Sequence, residues 1–271
     1  MELRDLQLYK LGILKDITDI CDRHGLKYFL YGGTLLGCIR HNGYIPWDDD
    51  VDIALLWNDY IRLLEVLKTD CPKKYFVQNL WTERNYPCLW TQIRVNGTTS
   101  MPVDLKDLKI HWGICIDVFA LISVSDNDKL YNKQKKNITY ILGLLGKEHM
   151  KAKGEKAIGA QNIINLMPSF VRHKIVKFLL KHTAYESSSD KYVCGLSTMS
   201  FGRRYLYSDF VEVINHVFEG YQMKIPKEYD RVLTEVYGDY MTPPPPEERG
   251  GHELSIGDTI IDANRSYLEY L

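Results

Sequence analysis

Long apolar runs are missing from this 271-residue chain; none approaches the roughly 18 residues that a membrane-spanning helix requires. The opening residues, MELRDLQLYK, have neither the basic start nor the apolar centre of a secretory signal. The six cysteines (Cys21, Cys38, Cys71, Cys88, Cys115 and Cys194) form no C-x-x-C pair, which speaks against a zinc ribbon or a disulfide scaffold. Net charge is almost absent, with 34 Lys+Arg against 35 Asp+Glu, and no internal repeat is visible. Hydrophobic residues make up 45% and charged residues 25%, so disordered and fibrous classes are excluded as well. The length suits one large domain or two small ones. The expectation is a soluble, cytoplasmic globular protein with reduced thiols.

Charge is unevenly spread. Residues 129–182 hold twelve Lys+Arg and only two acids, Glu148 and Glu155, so this block carries +10 and the rest of the chain −11. Such a block suits a polyanion or an anionic membrane, the plainer alternative being a solvated helical face. It has no recognisable reader motif, so nucleic acid is not an expected partner.

Leu6, Leu11, Leu14, Ile17 and Cys21 recur at helical spacing over 3–24, and Gly25 follows as a cap. KYFLY at 27–31 predicts a short strand, which Gly32-Gly33 turns into a helix through TLLGCIRH. Further strands are expected at 51–56, 75–80, 89–95, 113–121 and 217–225, and a helix with Asn58 as its N-cap running to about Lys68. Helices are expected over 129–146, 155–182 and 227–237, with an extended stretch at the four prolines 243–246. In the second of these, Val171, Ile175, Phe178 and Leu179 would form the apolar face and Lys174, Lys177 and Lys181 the polar one. The layout is a mixed α/β (α+β) core over 1–125, a basic helical insertion over 126–190, and a segment over 191–271 that returns to the core and site.

The densest chemical signal is Pro46-Trp47-Asp48-Asp49-Asp50-Val51-Asp52-Ile53. Side chains alternate along a strand, so Asp50 and Asp52 should share one face, and Asp48 has the same parity. Carboxylates that close repel unless a cation sits between them, and all-oxygen ligation suits Mg²⁺ or Mn²⁺. Gly32, Gly33 and Thr34 open a helix after a strand, where backbone N–H groups favour a phosphate, although Gly-Gly also marks plain turns. Asp117 is a lone charge in the apolar strand GICIDVFAL; it would complete a three-carboxylate site, take a proton, or pair with an Arg such as Arg94.

The longer string GGTLLGCIRHNGYIPWDDDVD resembles the LicD family, within the nucleotidyltransferase superfamily. The resemblance continues through GICIDVF at 113–119, FEG at 218–220 and Tyr237-Gly238-Asp239-Tyr240-Met241, and covers most of the chain outside the basic block. It implies a nucleotidyltransferase-like mixed sheet flanked by helices. It also implies Mg²⁺-dependent transfer of phosphorylcholine, or a related phospho-alditol, from a donor such as CDP-choline to a hydroxyl of a cell-surface glycan or teichoic-acid precursor. Carried over by position, Asp50 and Asp52 are the metal-binding pair, Asp117 the third carboxylate and Asp48 a further ligand. Gly32, Gly33 and Thr34 would cradle donor phosphate, with Arg40, Arg94 and His252 as phosphate contacts. Glu219 would bind acceptor or support the site. An aromatic cage for choline would draw on Trp47, Tyr31, Trp90 and Trp112. Rival readings are a nucleotidyltransferase that uses an NTP and a catalytically silent glycan-binding protein of the same fold. Acceptors in this family are often lipid-linked, which suits peripheral contact between 129–182 and the anionic inner face of the plasma membrane.

Overall fold

A computed structural model describes residues 1–152, 167–197, 203–250 and 259–271. The chain starts with α1 (Leu3–Arg23), which buries Leu6, Leu11, Ile13, Leu14 and Ile17. Burying an aliphatic side chain of this size contributes about 2 kcal/mol. β1 (Tyr28–Leu30) leads into α2 (Gly32–His41), and β2 (Asp52–Leu56) into α3 (Trp57–Asp70). β3 (Tyr75–Gln78), β4 (Thr91–Val95) and β5 (Thr99–Pro102) precede the long β6 (Cys115–Val124). Then come α4 (Asp128–Ala152), α5 (Ser169–Thr183), β7 (Tyr192–Gly195), β8 (Tyr205–Leu206), β9 (Val213–Phe218), β10 (Tyr221–Pro226), α6 (Tyr229–Tyr237) and β11 (Thr259–Asp262).

The fold is a mixed α+β arrangement around one seven-stranded sheet. Its path runs β1-β2-β6-β4-β3, and β7 pairs with both β6 and β8. β2 and β6 are parallel while the other neighbours are antiparallel. On the edge of β6 away from β2, β4 takes the first half (Cys115 to Val118) and β7 the second (Leu121 to Val124). The central residues Ile53, Ala54, Leu55, Val118, Ala120 and Leu121 are fully buried, so both faces of the sheet are covered. The side chains Tyr131, Ile138 and Ile141 of α4 and Val176 and Leu180 of α5 join this same core. A smaller cluster of Met101, Leu105, Leu108, Ile110 and Trp112 is closed by Ile260, Tyr267 and Tyr270, because β11 pairs with β5.

Three expectations change. The single strand expected at 217–225 is a hairpin, β9 and β10, in which Phe218 pairs with Tyr221 across Glu219-Gly220. Both turn residues have positive φ, 51° and 79°, the two-residue reversal whose twist matches that of the strands. Asn58 does not cap α3; its N–H donates to Glu186 Oε2 at 2.7 Å, and the helix already begins at Trp57. In α5 the buried residues are Arg172, Val176, Leu180 and Thr183, while Phe178 is exposed. Arg172 can turn inward because its Nη1 donates to Leu144 O at 3.1 Å; of the expected apolar face, Ile175 and Leu179 still pack partly buried against the core, and Phe178 is the member left exposed.

Candidate active site

Strand register makes the first contact of the site. In the parallel β2–β6 ladder Asp52 lies directly opposite Asp117, and Gln92 of β4 lies opposite Asp117 on its other side. Paired residues share a face, so three polar side chains stand abreast across three strands spaced about 4.8 Å apart. Gln92 Nε2 donates to Asp117 Oδ1 at 2.8 Å. The amide cannot turn over, because its oxygen accepts from Arg94 Nη2 at 2.6 Å. Arg94 is itself buried and also donates to Gln78 Oε1 and, at 2.6 Å, to Gly113 O. A guanidinium on the same face of the sheet, two residues along β4, thus fixes which end of Gln92 meets the carboxylate.

The acidic run precedes the strand rather than lying in it. β2 begins at Asp52, and Asp48, Asp49 and Asp50 directly follow the turn at Pro46-Trp47, with carboxylate oxygens within 4.8 Å of one another. Alternation along a strand would have sent Asp49 to the opposite face; the loop instead gathers all three, with Asp49 fully buried. Asp52 is half-buried beside them. Burial, then the charges of Asp117, Asp50 and Asp48, hold its carboxyl well above the usual carboxylate range, and Lys10 acts in the opposite direction.

One polar stripe on α1, at residues 4, 7 and 10, supports the whole acidic loop. Lys10, 1% exposed, donates from Nζ to Asp49 O at 2.7 Å and lies 3.8 Å from Asp50 Oδ1. Gln7 Nε2 donates to Asp48 O at 2.8 Å and to Ile45 O at 3.3 Å. Arg4 pairs with Glu219, whose Oε1 also accepts from the Tyr44 N–H at 3.0 Å. Those bonds hold the Glu219 carboxyl below its usual range. Glu219 therefore ties the β9–β10 turn to the loop and to α1.

The start of α2 closes the site from the other side. A Cβ built on Gly33 would lie 2.7 Å from Asp48 Oδ2, and one built on Gly32, whose φ is +55°, 3.0 Å from Asp52 Oδ2. Side chains larger than hydrogen would displace those carboxylates. Thr34 Oγ1 accepts from the Asp52 N–H at 2.8 Å, fixing the first residue of β2 against α2.

Beside these groups opens a cavity of about 580 Å³. Its wall includes Gly32, Gly33, Asp52 and Arg203, with the aromatic rings of Tyr31, Phe119, Tyr205 and Tyr237. Tyr31 and Phe119 lie 5.7 Å apart, and Trp90 packs 5.4 Å from Phe119. The Tyr237 phenol is pushed up to about 12 by burial and by the negative charge of Asp52 and Asp48.

Of the residues singled out in the sequence, Gly32, Gly33, Thr34, Asp48, Asp50, Asp52 and Asp117 come together here. The described cavity wall includes none of Arg40, Trp47, Arg94 and Glu219. Arg40 donates to Tyr240 O at 2.9 Å and to His41 Nε2 at 3.0 Å. Trp47 is covered by the Arg249 guanidinium at 4.6 Å and meets His41 edge-on. Trp112 belongs to the smaller core, and its Nε1 donates to Leu108 O. His252 lies outside the described residues. Sequence reasoning named Tyr31 but passed over Lys10, Gln7, Gln92, Asp49, Arg203 and the rings of Phe119, Tyr205 and Tyr237 as parts of the site. Only Asp49, inside the acidic run, carried a local signal.

The mixed sheet thus pairs two acids on adjacent parallel strands and sets a glycine-led helix against them. Residues 25–139 match the family described as LicD/FKTN/FKRP, nucleotidyltransferase domain. Over 264 residues the chain is 30% identical to the lipopolysaccharide cholinephosphotransferase LicD of Haemophilus influenzae, covering 94% of this chain and 97% of that protein. A 57-residue stretch is 40% identical to the human ribitol 5-phosphate transferase FKRP, 21% of this chain and 10% of that one. The chain belongs to the LicD family.

Proposed function

We propose that this protein is a divalent-metal-dependent transferase that moves phosphorylcholine from CDP-choline to a glycan hydroxyl. The observation that carries the reading is the pairing of Asp52 with Asp117 beside the cluster of Asp48, Asp49 and Asp50. The donor set fits a hard cation: it is all carboxylate oxygen, Asp48 and Asp50 belong to a cluster gathered within 4.8 Å, Asp52 stands opposite Asp117 in the strand register, and the absent side chain at Gly33 leaves Asp48 its place. Asp48, Asp50, Asp52 and Asp117 are the residues that would hold Mg²⁺ or Mn²⁺. When bound, the cation supplies positive charge that offsets the carboxylates and the donor diphosphate.

The chain's own groups do the rest. The N–H groups opening α2 and the Arg203 guanidinium, both at the cavity wall, receive the donor phosphates. The acceptor oxygen bonds to the phosphorus that carries choline, the P–O bond to CMP breaks, and the hydroxyl proton passes to a carboxylate. Asp117, its orientation fixed by Gln92, is the group assigned that proton. The rings of Tyr31, Phe119, Tyr205 and Tyr237 offer aromatic faces that suit a quaternary ammonium. Lipopolysaccharide, named in the Haemophilus relative, supports a glycan as acceptor.

The test is CMP release from CDP-choline, CDP-glycerol, CDP-ribitol and CTP, with and without Mg²⁺, alongside an Asp50→Asn/Asp52→Asn variant. Calorimetry on the same samples covers the case in which turnover needs the acceptor. Metal-dependent release or binding that is specific to CDP-choline and lost in the variant supports the reading. A preference for CTP, with pyrophosphate as product, would replace it with a nucleotidyltransferase.

A further inference from the structure

The basic helical block contains an outward face whose chemistry the active site does not use. α4 and α5 lie side by side: Asn137 Nδ2 donates to Thr183 Oγ1 at 3.2 Å, and Arg172 reaches Leu144 O. Ile138 and Ile141 of α4 and Val176 and Leu180 of α5 point into the same core, so the opposite stripes of both helices point away from it. On those stripes stand Tyr140 (65% exposed), Phe170 (54%) and Phe178 (62%). Lys133 and Lys136 accompany Tyr140, and Lys174, Lys177 and Lys181 accompany the two phenylalanines. His182 stacks on Phe178 with ring centroids 4.3 Å apart.

Two features select the partner. No Asp or Glu occurs over 129–147 or 167–185, so the face is cationic without internal neutralisation. Yet phenylalanine recurs beside the lysines, at position 170 ahead of Lys174 and at 178 between Lys177 and Lys181, about two turns of α5 apart. Exposed rings of that size add nothing to a merely solvated or phosphate-tracking surface, but they insert at a lipid headgroup boundary while lysines reach the anionic heads. No described helix is long and apolar enough to cross a membrane, so contact through this face would be peripheral. We propose that the outward face of α4 and α5 docks on an anionic bilayer surface, through Phe170 and Phe178 as inserting side chains and Lys174, Lys177 and Lys181 as headgroup contacts. None of the described cavity residues comes from either helix, so the proposal stands apart from the catalytic reading.

Sedimentation with phosphatidylcholine vesicles, with and without about 40% phosphatidylglycerol, at about 0.1 M and about 0.5 M salt tests it. The full chain should partition onto the anionic vesicles and be released by salt. At roughly fivefold per basic residue, Lys174→Gln/Lys177→Gln/Lys181→Gln should weaken partition by about 100-fold. Phe170→Ser/Phe178→Ser should weaken it by about tenfold while keeping the salt dependence. Unchanged thermal unfolding of both variants keeps the comparison valid, because all five side chains lie outside the buried set of α5. Equal binding to neutral and anionic vesicles, no binding, or indifference to the phenylalanine change would overturn the proposal. So would a concentration-dependent dimer lost in the phenylalanine variant, or tighter binding to single-stranded RNA than to vesicles.

Discussion

Replacing Gly33 with alanine should separate stability from activity. Gly33 is the second residue of α2 and, unlike Gly32, does not have the positive φ that penalises a side chain. As a helix position it should gain up to about 1 kcal/mol from alanine. The new methyl, however, would start 2.7 Å from Asp48 Oδ2, where ordinary contact begins at 3.4 Å, so the carboxylate must retreat by about 0.7 Å. That retreat costs the fold little, because it moves the far end of a half-buried, rotatable side chain. It costs the site more: Asp48 shares a 4.8 Å cluster with Asp49 and Asp50, and metal ligands tolerate about 0.2 Å. Misplacements approaching 1 Å cost reactions as much as about 100-fold. The expected outcome is a Tm equal to the parent or about 2 °C higher, with kcat/KM for CMP release down 10- to 100-fold and weaker Mg²⁺ binding. Gly32→Ala is the contrast, losing about 1 kcal/mol of stability as well, since its φ is +55°. Gly33→Ala with turnover within about twofold of the parent would refute the carboxylate-cradle reasoning. A Tm drop of more than about 5 °C would show instead that α2 cannot accept the methyl.

Lys10→Met removes a buried ammonium from beneath the acidic loop and should cost about 2 kcal/mol in urea unfolding, with Mg²⁺ restoring more stability to the variant than to the parent. An equal metal response in both would detach Lys10 from the carboxylates. Gln92→Leu removes the donor to Asp117, and kcat should fall 10- to 100-fold with KM for the donor nearly unchanged; a change confined to KM contradicts the positioning role. His111 supplies the pH test. Its Nδ1 accepts from the Gly113 N–H, its Nε2 lies 3.0 Å from Asn96 Oδ1, and burial followed by the charge of Arg94 pushes its pKa from 6.5 to about 4. The unfolded chain therefore takes the proton first, so stability present above pH 6.5 is lost as pH falls towards 4. The full shift corresponds to ~3 kcal/mol, or about 1–2 after allowing for partial exposure. Urea midpoints at pH 7 and 5 should differ less in His111→Phe than in the parent.

What could be read beforehand was local. An acid-apolar-acid triplet entering a strand, a Gly-Gly at the start of a helix and one charge in an apolar strand each announce themselves within a few residues. The partners do not. Arg4, Gln7 and Lys10 look like the solvated side of an amphipathic helix, because their acceptors lie about forty residues or more away in sequence. Gln92 alternates correctly for an exposed strand position, and only the β4–β6 register turns it towards Asp117. The Glu219-Gly220 reversal was hidden by apolar residues on both sides, which read as one continuous strand. Phe178 misled for the opposite reason. Periodicity assigns hydrophobic residues inward, and a buried Arg172 whose Nη1 donates to Leu144 O overrides it.

The supports also explain why so much negative charge can be assembled without disorder. Four acids lie within residues 48–52 and a fifth faces them from β6, an arrangement that like-charge repulsion opposes. Lys10, near Asp50, is one charge that offsets the repulsion, and backbone contacts add to that support. Gln7 takes Asp48 O, Lys10 takes Asp49 O, and Thr34 takes the Asp52 N–H. Main-chain anchoring fixes where the carboxylates start while the glycines of α2 leave space where they end. The repulsion that remains, visible in the raised Asp52 carboxyl, is then available to be relieved by an incoming cation rather than by rearrangement of the fold.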